Sequence, residues 1–159
     1  MWMKNNVIES YLEECTVIAK RSKCSRRQFG AIITDQNGVY ISGGYNGSAR
    51  GVINCGEAVD CIKEKYDVEH YGGYDYCPAV HAEENAIINA ARKGHAIEGG
   101  ILFLNSSISI NAGRPCNRCK RAIMNAGIVK IYFKDDTGLT RAVDISSWMK
   151  EDTEWILSR

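Results

Sequence analysis

The 159-residue chain carries almost no net charge, with 20 Lys and Arg against 19 Asp and Glu. It therefore has no basic field to hold a long nucleic acid, and a small-molecule partner is the default. There is also no span of about 18 uninterrupted apolar residues, the length that a membrane helix needs. Residues 1–10 mix charged and polar groups where a secretion signal needs an apolar stretch, so the cytoplasm is the expected compartment. Internal repeats and low-complexity tracts are absent. A second Cys-x-x-Cys is missing too, which removes the usual partner of a zinc ribbon. What remains is 45% hydrophobic and 25% charged, the composition of an ordinary soluble protein. The length suits a single domain over residues 1–159 with a proper core. The 7 cysteines are an odd number, which favours metal ligation over a disulfide framework.

Hydrophobic periodicity divides the chain. Val7, Ile8, Tyr11, Leu12, Cys15, Ile18 and Ala19 recur at three- and four-residue steps, which predicts an amphipathic helix from Val7 to about Arg21. Phe29–Thr34 and Val39–Gly43 read as strands joined by the Asn37-Gly38 hairpin signal. Residues 45–80 break the pattern with glycines, tyrosines and three cysteines, and read as a long loop or insertion that something must organise. His81–Lys93 is a helix with Gly94 as its C-cap, followed by a strand over Ile101–Leu104. A polar excursion over Asn105–Arg114 leads to a second helix over Cys116–Ala126, ended by Gly127. Ile128–Phe133 is a further strand, and the tail from Ala142 to Leu157 is expected to form one or two helices. Alternating strands and helices give an α/β class, with helices packed on a central sheet.

Two short motifs carry the chemistry. His81-Ala82-Glu83 and Pro115-Cys116-Asn117-Arg118-Cys119 supply one His and two Cys, with one acid beside them. A structural zinc site closes its tetrahedron with four protein ligands, whereas a catalytic one has three and keeps a position for water. His81, Cys116 and Cys119 make three. Glu83 is then placed as a general acid and base for a zinc-acidified water. Taken alone, the Cys-x-x-Cys also fits half a ribbon or a redox pair, and His-x-Glu is common by chance. Together they form the signature shared by zinc-dependent nucleobase deaminases. Residues two apart point roughly 200° away from each other in mid-helix. His81 and Glu83 can therefore face one metal only at the mouth of a helix, and Cys116 and Cys119 follow Pro115 at another helix start. The two positive dipole ends favour thiolates.

Beyond the motifs, Cys24-Ser25-Arg26-Arg27-Gln28-Phe29-Gly30-Ala31-Ile32-Ile33, Gly44-Tyr45-Asn46-Gly47-Ser48 and His81-Ala82-Glu83-Glu84-Asn85-Ala86-Ile87 stand in the order of the deoxycytidylate (dCMP) deaminases. From about Val7 to Phe133 the chain resembles that family. The resemblance implies a cytidine deaminase-like α/β/α sandwich on a five-stranded mixed sheet. It also implies hydrolysis of dCMP to dUMP and ammonia, with Asn46 bonded to the deoxyribose or base. Many members are homo-hexamers switched by dCTP and dTTP, and some hold a structural zinc in the 45–80 region. Cys24, Cys55, His70 and Cys77 are the candidate ligands for that second zinc, with Cys61 as an alternative to His70; the competing reading is buried or free thiols.

A nucleotide also needs a phosphate clamp. Arg26, Arg27 and Arg50 flank the segments expected to line the pocket, and Arg92 suits a subunit contact or effector site. The chain departs from the family at Asn105–Arg114, where a short link is usual, and that stretch borders the metal. The remaining alternatives are a deaminase for free cytidine or a tRNA adenosine, and a silent deaminase fold used for binding.

Overall fold

The computed structural model describes residues 3–68, 73–108 and 113–159. Helix α1, Asn5–Ala19, buries Ile8, Leu12, Cys15 and Ala19 along one stripe, the spacing that its sequence announced. Strands β1 (Phe29–Thr34) and β2 (Tyr40–Tyr45) form an antiparallel hairpin. Its turn depends on Gly38 at φ 80°, a left-handed conformation that glycine adopts without steric cost. The Asp35 carboxylate accepts hydrogen bonds from the backbone N–H groups of Asn37 and Val39, both at 2.8 Å.

Residues 45–80 are not a structureless loop. They contain β3 (Gly47–Ser48), the one-turn helices α2 (Cys55–Ala58) and α3 (Ile62–Lys65), a 3-10 turn at Tyr74–Tyr76, and β4 (Ala79–Val80). β3 pairs antiparallel with β4, Gly47 opposite Val80 and Ser48 opposite Ala79. This clasp closes the insertion at its base and delivers the chain directly to His81.

Helix α4 (Ala82–Lys93) follows and ends at Gly94, φ 68°. β5 (Ile101–Ser106), α5 (Asn117–Asn125) and β6 (Lys130–Lys134) form a parallel crossover unit. β7 (Thr140–Asp144) then pairs antiparallel with β6, and α6 (Ile145–Leu157) closes the described chain. The sheet is mixed and five-stranded, in the order β2-β1-β5-β6-β7. β7 departs from the sequence reading, which gave Ala142 and Val143 to a helical tail. An edge strand with mostly exposed side chains has no apolar alternation to reveal it.

The sheet separates two cores. On one face α1 packs Leu12 and Cys15 against Ile32, Phe103 and Tyr132. On the other, Ala82 and Ala86 of α4, Ile123 of α5 and Trp148 of α6 pack against Ala31, Ile33, Leu102 and Ile131. The alternation of Ala31, Ile32 and Ile33 between the two cores is the two-residue period of a strand buried on both sides.

Glycines set the approach of the helices. A Cβ at Gly30 would stand 2.1 Å from the Cys15 carbonyl oxygen, and one at Gly44 would stand 2.5 Å from the Ala86 nitrogen. The helix α4 therefore lies almost against β2. Asn85 and Asn89, four apart on α4, donate to the carbonyls of Tyr45 (2.7 Å) and Gly43 (2.8 Å) on that edge strand. Among the described residues, no helix is long and apolar enough to cross a membrane.

Candidate active site

His81 and Cys116 are the N-cap residues of α4 and α5, both in extended backbone conformation (φ −73°, ψ 159° and φ −67°, ψ 164°). Each helix start thus turns a ligand toward the other, and Cys119 follows one turn into α5. The helix ends are locked together by Glu84. Its carboxylate accepts a hydrogen bond from the His81 backbone N–H at 3.1 Å and pairs with Arg118 Nη2 of α5 at 2.8 Å. The Arg118 guanidinium in turn lies 4.9 Å from the Tyr74 ring centroid. Sequence reading did not single out Glu84, although Glu at the third helical position is the usual signal of a residue that reaches back to the N-cap.

Among the described residues, His81, Cys116 and Cys119 form the one group of three potential ligands, their donor atoms all within 4.8 Å of one another. Zn–N bonds of about 2.0 Å and Zn–S bonds of about 2.3 Å at tetrahedral angles hold N and S roughly 3.5 Å apart. Cys116 Sγ and Cys119 Sγ lie 3.5 and 3.3 Å from His81 Nδ1. The donor set therefore fits zinc, and three donors leave one tetrahedral position for water.

Electrostatics favour the same ion. Hydrogen bonds from the Cys119 thiol, His81 and the Tyr74 hydroxyl outweigh burial and pull Cys116 down to about 3. Cys119, as donor to that thiolate and buried, is pushed up. A metal that displaces the shared protons converts both to thiolates. Burial would lower the pKa of His81, but the hydrogen bond to Cys116 and the charges of Glu83 and Cys116 raise it.

Glu83 is only 5% exposed, and it lines the same cavity as His81 and Cys116. Burial raises its pKa against the opposing pull of His81, so its carboxyl can hold a proton more readily than a surface glutamate. Asn46 is also buried on this cavity. Its amide spans two backbone groups, Nδ2 donating to the Arg27 carbonyl at 2.8 Å and Oδ1 accepting from Phe29 N–H at 2.7 Å. One N–H and one lone pair remain for a ligand.

The other expected residues divide. Arg26 and Arg27 line the cavity. Arg50 does not, because it reaches across to α4 and donates to Asn89 Oδ1 at 3.0 Å on the exposed surface. Gly113 and Arg114, at the end of the 105–114 excursion, line the cavity as expected; residues 109–112 lie outside the described residues. Its start is anchored where Ser107 Oγ donates to Gln28 Oε1 at 2.6 Å.

Cys24, Cys55, Cys61 and Cys77 face a second, smaller cavity, and none of them is in a disulfide. Burial and the neighbouring Cys24, Cys61 and Cys77 push the Cys55 thiol up. His70 lies outside the described residues.

Comparison with known proteins agrees with this geometry. The family model for the cytidine and deoxycytidylate deaminase zinc-binding region matches residues 5–135. The deoxycytidylate deaminase of Enterobacteria phage T2 is 30% identical over 151 residues, covering 77% of this chain and 76% of that protein. The dCMP deaminase of cyanophage S-TIM5, solved in complex with dCMP and dUMP, superposes with a TM-score of 0.62 at 26% identity over 82% of each chain. A cytidine deaminase from Burkholderia pseudomallei shares the fold, with a TM-score of 0.62 at 13% identity over 91% of this chain and 95% of that one. With the matched stretch holding both zinc motifs and four of the five sheet strands, the chain belongs to the cytidine and deoxycytidylate deaminase family of zinc-binding proteins.

Proposed function

We propose that the protein deaminates deoxycytidylate by hydrolysis, releasing dUMP and ammonia and so supplying dUMP for thymidylate synthesis. The observation that carries the reading is Glu83, a buried acid that shares a cavity with His81 and Cys116, two of the three clustered zinc-type donors, without belonging to that cluster. A purely structural zinc would want a fourth ligand and no such acid. The phage relatives, named for action on dCMP, support the choice of substrate.

When bound at His81, Cys116 and Cys119, zinc supplies a water acidified from 15.7 to about 7. Glu83 moves the protons. It accepts one from the attacking water, places it on the ring nitrogen beside the amine-bearing carbon, and delivers one to the amine as it leaves as ammonia. Asn46, held by the Arg27 carbonyl and the Phe29 N–H, presents its remaining N–H and lone pair to the deoxyribose or base. Arg26 and Arg27 line the cavity as cations for the phosphate.

Ammonia release from dCMP, CMP, deoxycytidine, cytidine and guanine tests this assignment. The highest kcat/KM is expected for dCMP, and preference for cytidine contradicts it.

The same reading includes a second, structural zinc held by Cys24, Cys55 and Cys77, with Cys61 or His70 as the fourth ligand. Four thiols facing one cavity support it, and a closed four-ligand site would order a segment built of one-turn helices. Metal analysis of the pure protein should return two zincs per chain, falling to one on Cys55→Ser; one zinc in the unmutated protein contradicts the proposal. Family likeness extends the reading to a homo-oligomer, hexameric and regulated by dCTP and dTTP. The exposed Met149, Trp155, Ile156 and Leu157 of α6 supply apolar surface suited to self-association.

A further inference from the structure

Lys63, the second residue of α3, is 8% exposed, whereas its neighbour Lys65 on the same helix is exposed. Burying an ammonium is costly unless its surroundings answer the charge. The Lys63 Nζ lies 5.5 Å from the ring centroid of Tyr74, the residue whose hydroxyl bonds the metal-site thiol of Cys116. Lys63 also lines the active-site cavity, together with Arg26, Arg27 and Arg114. Among the described residues that line the cavity, four are thus cationic side chains and one, Glu83, is a carboxylate. Arg26 also forms an ion pair with Glu64 of α3 at 3.3 Å.

A neutral nucleoside gains little from such a field, whereas the 5′-phosphate of a nucleotide gains charge-assisted hydrogen bonds in a partly desolvated setting. From this we infer that Lys63 is a phosphate-binding residue that makes the enzyme select a nucleoside monophosphate over the free nucleoside. The inference rests on the proposed deoxycytidylate activity and adds to it a residue from the insertion. The insertion accordingly does more than surround the cysteines. It brings a buried cation to the wall of the active-site cavity.

Steady-state kinetics of the zinc-loaded enzyme on dCMP and on deoxycytidine test the role, with Lys63→Met and Lys63→Arg compared to the unmutated protein. Loss of one charge-assisted contact lowers the dCMP-to-deoxycytidine ratio of kcat/KM by about ten- to a hundredfold, through a higher KM for dCMP. Lys63→Arg restores most of the ratio because it keeps a donor for phosphate. Inorganic phosphate should compete with dCMP in the unmutated enzyme, and Lys63→Met should need a higher concentration for the same inhibition. A proportionate loss on both substrates, or equal inhibition by inorganic phosphate, overturns the assignment and leaves Lys63 a structural residue. Should Lys63→Met fail to fold, Lys63→Gln carries the same comparison. If the unmutated enzyme itself prefers deoxycytidine, the failure lies in the deoxycytidylate reading and is seen before any variant is made.

Discussion

Glu83→Gln is expected to keep its zinc and its fold while losing about 10² to 10⁴ in kcat for dCMP, the usual contribution of general acid-base catalysis. The isosteric amide fills the buried position at the start of α4, so the helix N-terminus and the ligand His81 stay in place. What it loses is the ability to pick up a proton and pass it on. Glu83 is not among the three residues whose donor atoms cluster, so its removal leaves metal affinity largely intact. Zinc content by elemental analysis and turnover by ammonia release, measured on one preparation, separate the two roles. Loss of zinc together with activity would make Glu83 a ligand or a structural support, and retained turnover would remove it from the chemistry.

Cys116→Ser strikes the opposite side of the site and should remove the catalytic zinc outright. Cys116 is the thiolate that Cys119, His81 and Tyr74 all bond, and a serine hydroxyl stays protonated where a thiolate is needed. The loss of activity should exceed the roughly 10- to 100-fold that follows from losing a partner of a ligand, and end below detection. Folding should survive, because the two cores on either face of the sheet are built without Cys116. Metal analysis should show one zinc fewer per chain, with a cooperative thermal transition retained. An unchanged zinc content would mean that His81 and Cys119 hold the ion with some other donor.

The site was far more legible in the sequence than the segment that covers it. His81, Glu83, Cys116 and Cys119 lie within two short motifs, and their convergence follows from helix geometry: only the first turn lets residues two or three apart face one ion. The core strands β1 and β5 were equally plain as apolar runs between turn signals. The insertion was not, since two-residue strands and four-residue helices are too short for any period to emerge. Lys63 was hidden for that reason, and only folding of the segment brings it beside Tyr74. Arg50 illustrates the reverse limit. Its place in the chain, just past Gly47-Ser48, suggested the pocket, but the chain direction after β3 carries it to Asn89 of α4, beside the edge strand β2. Strand β7 was lost to the helix that follows it, because an exposed edge strand needs only backbone pairing with β6 and leaves no apolar signature.

Hydrolytic deamination of dCMP replaces the amine with an oxygen taken from water. Incubation of the purified zinc protein with dCMP in water enriched in oxygen-18, followed by mass spectrometry of the nucleotide, tests it directly. The expected product is dUMP carrying one heavy oxygen at the carbon that bore the amine, with one ammonia released per dUMP formed. Unaltered dCMP, or dUMP without the label, would contradict it.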